Sequence, residues 1–355
     1  MAGGEKEITI SVIIPVRNGG DNFRVCLESL AEAVPAPDEI IVVADGESDG
    51  SWRFAETAGA KILRLPVSRG PAAARNLGAS RAKGEILLFI DADVTVRPDI
   101  VEQVAGAFQN NPGPAALFGS YDDQPAAANF LSQYKNLLHH YVHQSAREEA
   151  WTFWGACGAI RREVFLALGG FDETYRHPSI EDIELGYRLR RAGHRIRLDK
   201  KLQVKHLKRW GVGSLLKADF FYRALPWTQL ILRDRRLISD LNLTLSSRIS
   251  VILTYGILGS LIAAWWWAGF LAMSAVQALA LLFLNARLYR FFQRKRGVRF
   301  AMQALPWHWF YYLYSGLAFA GVLALQAYPR NSAPLPATHH RPGDEAVDKK
   351  GPELG

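Results

Sequence analysis

The run Ile86-Leu87-Leu88-Phe89-Ile90 leads straight into Asp91-Ala92-Asp93. Five consecutive apolar residues read as a strand buried on both faces, the kind found in parallel sheets covered by helices. Side chains alternate along a strand, so the two carboxylates point to the same side of its carboxyl end. In an open parallel sheet that end is where ligands bind. Two hard oxygen donors held there suit a divalent cation carrying a phosphate ligand. Taken alone, the triplet also reads as a strand-end turn in which both acids cap the backbone.

The segments around it resolve into an alternation. Ile8 to Val16 and Glu39 to Val43 are apolar and β-rich, and Lys61 to Leu65 is a shorter strand. Phe23, Leu27 and Leu30 have helical spacing, and helices are expected around 52–57 and 71–80. Strand and helix in turn predict an α/β fold with a mostly parallel, doubly wound sheet. Its ligand loops would be 15–20, 44–50, 68–75 and 91–95, all carrying Gly, Asp, Asn or Arg. Further on, helices are expected at 99–108, 129–148 and 162–168, and an amphipathic one follows Glu181-Asp182. Strands are expected at 117–121 and from Arg195 to Leu198.

The last third has a different character. Ile249 to Ala286 contains no charged residue and no His. As one straight helix it would span about 57 Å, nearly twice the ~30 Å hydrocarbon core of a bilayer. Two passes turning near Trp265-Trp266-Trp267 or Gly269 fit better, with the tryptophans in an interfacial belt. Basic residues flank both ends, Arg233 to Arg248 before and Arg287 to Arg299 after, which places both flanks on the cytoplasmic side. A third span over 302–328 is expected, interrupted by Pro306 and His308, so two or three passes stay open. Residues 211–248 read as amphipathic helices at the membrane interface. The resulting division is 1–210 catalytic, 211–248 interfacial, 249–329 transmembrane and 330–355 a disordered tail.

The net charge of +8 could serve nucleic acid, but the Lys and Arg gather beside the apolar stretches. An anionic membrane surface is the expected partner, with no nucleic acid. Cys26 and Cys157 form no metal-ligand pattern and read as buried thiols of a reducing compartment. Met1 to Glu7 is short and charged, so no signal peptide is expected.

In order and spacing these segments resemble the family-2 glycosyltransferases of the GT-A nucleotide-sugar fold. The matching pieces are Ser11 to Asn18, Ile40 to Gly50, Arg69 to Gly78, Gly84 to Asp93, Gly169 to Glu173 and Glu181 to Leu185. The resemblance covers roughly Ile8 to His206. One departure is that Ala44 stands where the family usually has the first of two consecutive Asp residues.

The resemblance implies a metal-dependent enzyme that takes a sugar from a UDP- or GDP-linked donor. Asp93 would ligate Mg2+ or Mn2+, with Asp91 on the ribose or a metal-bound water. Asp45 would face the base, Pro15 and Arg17 would line it, and Gly70 and Arg75 would support the nucleotide pocket. His206 occupies a position from which relatives reach the metal or the diphosphate. Trp154 and the small residues after it would lie under the donor sugar.

Asp182 would be the base that takes the acceptor proton in an inverting transfer, assisted by Glu181. Glu184 is the alternative base. A purely structural reading makes Glu181-Asp182 a helix start whose acids favour the dipole.

The implied acceptor is a lipid or lipid-linked glycan at the cytoplasmic face of a bacterial-type inner membrane, reached by a multi-pass protein. A polyprenyl phosphate acceptor would need no general base. Two other classes stay open: a non-catalytic nucleotide-sugar-binding membrane protein and a nucleotidyltransferase.

Overall fold

The computed structural model describes residues 8–235, 238 and 240–327. The expected tail at 330–355 lies outside them. The first half alternates as β1 (Ile10–Val16), α1 (Gly20–Ala31), β2 (Glu39–Asp45), α2 (Arg53–Thr57), β3 (Lys61–Leu65), α3 (Pro71–Arg81) and β4 (Ile86–Ile90). Then come β5 (Val94–Thr95), α4 (Ile100–Asn110), β6 (Pro114–Tyr121), α5 (Phe130–Ser145) and β7 (Glu149–Ala150). The domain closes with β8 (Cys157–Arg161), α6 (Arg162–Ala167), α7 (Glu181–Arg191) and β9 (Arg195–His206).

The strands form one nine-stranded sheet in the order β3-β2-β1-β4-β8-β6-β9-β5, with β7 also on β9. Its two faces carry separate cores. Ile10, Val12, Ile14 and Val16 of β1 pack with Phe23 and Leu27 of α1 and with Val104 and Phe108 of α4. Ile13 points the other way, toward the alanines of α3 and Phe89, Phe165 and Phe171. Side-chain alternation puts these residues on opposite faces, and burial on both faces is why β1, β2 and β4 are continuously apolar.

The sheet is mixed, which corrects the expectation of a mostly parallel one. β1–β2, β1–β4, β2–β3 and β6–β9 run parallel. β4–β8, β6–β8, β5–β9 and β7–β9 run antiparallel. β8 is the strand that sequence reasoning missed. Cys157-Gly158-Ala159-Ile160 is small and weakly patterned, and it becomes a strand because β4 and β6 leave a slot between them. β9 runs on through Asp199-Lys200-Lys201, residues whose polarity masked its full length.

Small residues set how close α3 sits to the sheet. A Cβ on Gly78 would come within 2.6 Å of the Ile13 side chain. Ala72, Ala74 and Ala79 are buried on the same helix. α3 therefore lies tight against β1 and β2, and its first turn delivers Arg75 to the carboxyl ends of the strands.

After β9 come α8 (Val212–Asp219), a π-helical turn (Phe220–Ala224) and α9 (Leu225–Asp234). The chain ends in α10 (Leu245–Ala263), α11 (Gly269–Leu284) and α12 (Ala286–Ala327). α10 and α11 are separated at 264–268, so the turn falls at the three exposed tryptophans. Among the described residues one helix, α10, is by itself long and apolar enough to cross a membrane. α11 and α12 pass that test only as a pair bent by 61°.

By length and composition the described helices thus offer one span, or two if the bent pair is one, and no third is seen among them. The reason is that the basic stretch following Ala286 is itself helical. Its first half packs Leu288 and Phe292 against Tyr134 and Leu137 of α5. There Arg296 donates to the Gln133 side chain and to the Asp123 carbonyl, both at 2.7 Å. α12 bends at Gly297, whose φ of 85° suits a residue without a Cβ.

Candidate active site

The carboxyl ends of β1, β2 and β4 lie side by side, so Pro15 and Arg17, Asp45, and Asp91 with Asp93 share one rim. Asn18 takes a left-handed conformation there (φ 53°). Its side-chain oxygen accepts from the Ser48 backbone N–H at 2.8 Å, which ties the first loop to the second. Arg17 is exposed and Pro15 half-buried.

Asp45 organises the third loop. Its carboxylate accepts from the Ser68 hydroxyl at 2.8 Å and from the backbone N–H groups of Arg69 and Gly70 at 2.7 and 2.9 Å. A carboxylate has about four acceptor positions, so one is left for a ligand. Gly70 has φ of 94°, and a Cβ there would lie 2.5 Å from the Arg176 carbonyl oxygen.

Arg75 joins the two acidic motifs that the sequence keeps far apart. Its guanidinium donates to Asp91 at 2.7 Å and to Glu181 at 2.9 Å. The Arg75 side chain is 6% exposed and that of Glu181 5%. Burial works against the Arg75 charge, but Asp91 and Glu181 more than offset it and raise its pKa. The other Glu181 oxygen accepts from the Ser179 N–H at 2.9 Å. Both Glu181 oxygens are therefore engaged by the protein, which makes Glu181 a brace. Gly155 leaves room for the same guanidinium, since a Cβ there would lie 3.3 Å from its central carbon. The small residue at 155 thus accommodates Arg75, whatever it offers a sugar.

Asp91 and Asp93 line the cleft with side chains about a third exposed. Burial pushes both carboxyls up, Arg75 pulls Asp91 back, and Lys208 pulls Asp93 back. Nε2 of His206 lies 3.8 Å from Asp93, too far for a hydrogen bond. Burial drives the His206 pKa down to about 3, so its ring is neutral and keeps a nitrogen lone pair. The ring stacks on Tyr121 at 4.2 Å between centroids. No group of three or more His, Cys, Asp or Glu among the described residues is gathered to enclose a metal. Asp91, Asp93 and neutral His206 form an open partial donor set. Crowded hard-oxygen donors of this kind suit a divalent cation whose other ligands come from a phosphate and water.

Asp182 faces the cleft from the first turn of α7. It accepts from the Gly155 N–H at 3.0 Å and from the Ile183 N–H at 2.8 Å. Burial, then the neighbouring Glu181, raise its pKa from 3.8 to about 7. It braces the helix start and is also poised to exchange a proton near neutrality. Glu184, the alternative base, is buried and bonded to Arg188 at 2.8 and 3.0 Å, so it is structural.

Sequence reasoning passed over Tyr121, His139 and Lys208. Tyr121 and His139 pack with Trp154 into an aromatic wall beside His206, with centroids 4.6 to 4.8 Å apart. The usable signal was that Tyr121 ends a strand, as the Asp pair does.

A mixed α/β sheet thus gathers paired acids at its strand ends, an arginine from a close-packed helix and a neutral-range carboxyl around one cleft. The family model described as glycosyl transferase family 2 matches residues 11–169. A pre-mycofactocin glycosyltransferase of Mycobacterium tuberculosis is 31% identical over 235 residues, covering 62% of this chain and 47% of that protein. The succinoglycan biosynthesis protein ExoA of Rhizobium meliloti is 26% identical over 222 residues, covering 59% of this chain and 67% of that protein. The chain thus spans about half the length of the mycobacterial relative. A mannosyltransferase from Pyrobaculum calidifontis, solved with GDP-Man and Mn2+, superposes with a TM-score of 0.57. Identity there is 19%, over 88% of this chain and 87% of that one, which shows a shared fold. These matches support an enzyme built on a family-2 glycosyltransferase domain of the GT-A type.

Two outcomes follow from this geometry. Arg75→Met leaves the buried Glu181 without its cation and is expected to cost about 3–5 kcal/mol of stability. Unfolding with denaturant measures it, and a loss near zero would remove Arg75 from its bracing role. For Asp182 the folded pKa lies above the unfolded one. Its proton therefore favours folding at low pH, and that contribution is lost as pH rises from about 4 through about 7. Thermal scans should show Asp182→Asn gaining on the wild type between pH 5 and pH 8. A constant gap would mean that the carboxyl titrates normally.

Proposed function

We propose that this chain is a membrane-bound inverting glycosyltransferase. It moves a sugar from a UDP- or GDP-linked donor to a lipid or lipid-linked acceptor at the cytoplasmic face of a bacterial-type inner membrane. The observation that carries this reading is the Arg75 bridge between Asp91 and Glu181, which brings their neighbours Asp93 and Asp182 to one cleft.

The base and ribose lie against Pro15, Arg17 and the one free acceptor position of Asp45. Gly70 lets the third loop approach closely. Asp93 and Asp91, with His206, would hold the divalent cation. When bound, Mg2+ or Mn2+ supplies positive charge that stabilises the departing diphosphate. The acceptor oxygen attacks the anomeric carbon as the bond to the diphosphate breaks. Asp182 takes the hydroxyl proton, and a carboxyl with a pKa of about 7 is matched to that task at neutral pH.

A second reading keeps the donor site and changes the acceptor. A phosphate nucleophile is already ionised and needs no base. The cationic pair Lys135 and Arg223, which bear electrostatically on His206 from the acceptor side, favours it. Asp93→Asn and Asp182→Asn are each expected to lower transfer by about 100-fold or more. Product formation from radiolabelled donor and membrane lipid extract measures this. Transfer surviving in both variants overturns the mechanism. Transfer surviving only in Asp182→Asn selects the phosphate acceptor.

Membrane attachment rests on the apolar α10, the bent α11–α12 pair and the exposed Trp265-Trp266-Trp267. The expressed chain should stay with the membrane pellet through an alkaline carbonate wash. Release of the intact chain into the supernatant would reduce α10–α12 to a soluble helical cap.

A further inference from the structure

Where α8 and the π-helical turn meet α12, Leu216, Phe220, Phe221, Phe310 and Tyr314 line an open groove of about 690 Å3. A cluster of charges adjoins it through Tyr314. Asp219 accepts from Lys135 at 2.6 and 2.8 Å and from the Tyr314 hydroxyl at 2.8 Å. Arg223, one turn on, reaches the same carboxylate through a single contact of 3.3 Å.

The charges do not balance. Asp219 is 5% exposed and already satisfied by Lys135 and Tyr314. Arg223 is 47% exposed. A guanidinium carries five N–H donors, and among the described residues Asp219 alone accepts from this one. One acid against two cations leaves an excess positive charge in a recess walled by aromatics. Placing it in a π-helical turn, a feature that recurs at functional sites, reinforces a binding role.

The groove also lies near the catalytic cleft. The Ser179 hydroxyl, two residues before Glu181, donates to the carbonyl of the groove-lining Tyr222 at 2.6 Å. Tyr314 faces the groove and bonds Asp219, so the charged cluster is joined to the groove wall. An apolar groove bordered by spare cationic donors is complementary to a chain carrying an anion at its tip. A neutral lipid would leave the guanidinium without an acceptor, and a free anion would leave the groove unused.

We propose that a long-chain lipid with a phosphate headgroup binds here, its phosphate on Arg223 and Lys135 and its chain in the groove. This deepens the acceptor side of the proposed glycosyltransferase and rests on that reading. Binding presents the headgroup end of the lipid to Asp182, while the cation pair neutralises its charge beside the acidic cleft.

The test is binding without donor, read by native mass spectrometry of the detergent-solubilised full chain. The probes are farnesyl phosphate, farnesol and inorganic phosphate. Farnesyl phosphate should bind, with farnesol and inorganic phosphate each weaker by about tenfold or more. Arg223→Gln should lose about tenfold for farnesyl phosphate, and Arg223→Lys should recover part of it. Asp219 keeps Lys135 and Tyr314 in these variants, so the fold is expected to persist. Leu216→Trp fills the groove without touching a charge and should weaken binding too, which covers a folding failure at Arg223.

Equal binding of farnesol makes the site a plain apolar groove and overturns the proposal. Equal binding of inorganic phosphate makes it a free-anion site and overturns it as well. UDP and GDP binding on the same samples separates the two readings. Lipid binding lost with nucleotide binding intact removes this site alone. Nucleotide binding lost with lipid binding intact removes the glycosyltransferase reading and spares the lipid site.

Discussion

The bridge from Asp91 through Arg75 to Glu181 is the contact on which the cleft depends. Asp91 ends β4 and Glu181 begins α7, ninety residues further along the chain. The buried guanidinium satisfies the charge of Glu181 where water cannot, and reaches out to the partly exposed Asp91. It also fixes the distance between the acidic strand end and the first turn of α7, where Asp182 sits. The opposing sides of the cleft are thereby set by one side chain, and that side chain is set by how closely α3 packs. Gly78 lets α3 rest on Ile13, and Gly155 leaves the hollow that the guanidinium fills.

The same logic separates bracing acids from chemical ones. Glu181 and Glu184 sit within one turn of Asp182 and share its composition, yet each is held by an arginine. Asp182 has backbone N–H partners and, among the described residues, no cation in contact. Its charge is therefore the poorly compensated one, and its proton is correspondingly retained to about pH 7. Asp91 and Asp93 show a related tension. Both are pushed up by burial, and the cations that relieve them, Arg75 and Lys208, come from different elements.

Much of this was legible in the sequence, and the remainder was not for definable reasons. β1, β2 and β4 are buried on both faces, so their composition announced them and placed Asp45, Asp91 and Asp93 at their ends. β8 is built from small residues that pair only because neighbours supply the edges, a tertiary effect without a local pattern. The antiparallel half of the sheet was hidden with it. The division of labour within Glu181-Asp182-Ile183-Glu184 was also hidden, because it depends on which arginine reaches which acid across the fold. In the last third, absence of charge marked 249–286 correctly as apolar. The basic run after it was read only as a cytoplasmic flank by its charge, and its docking on α5 as helix had no local signal.

That docking gives the carboxy-terminal helices a part in the electrostatics of the cleft. The catalytic sheet contributes a cluster of acids, Asp91, Asp93 and Asp182, facing one space. Left alone, such a cluster would repel any phosphate brought to it. The opposing charges come from outside the central strands: Lys208 after β9, Lys135 on α5 and Arg223 on the π-helical turn. Lys135 and Arg223 are positioned by Asp219, and Asp219 is anchored by Tyr314 of α12. The Tyr314 hydroxyl on α12 thus holds the carboxylate that positions Lys135 and Arg223. A change in the seating of α12 would therefore reach Asp182 through charge placement, with no movement of the catalytic sheet required.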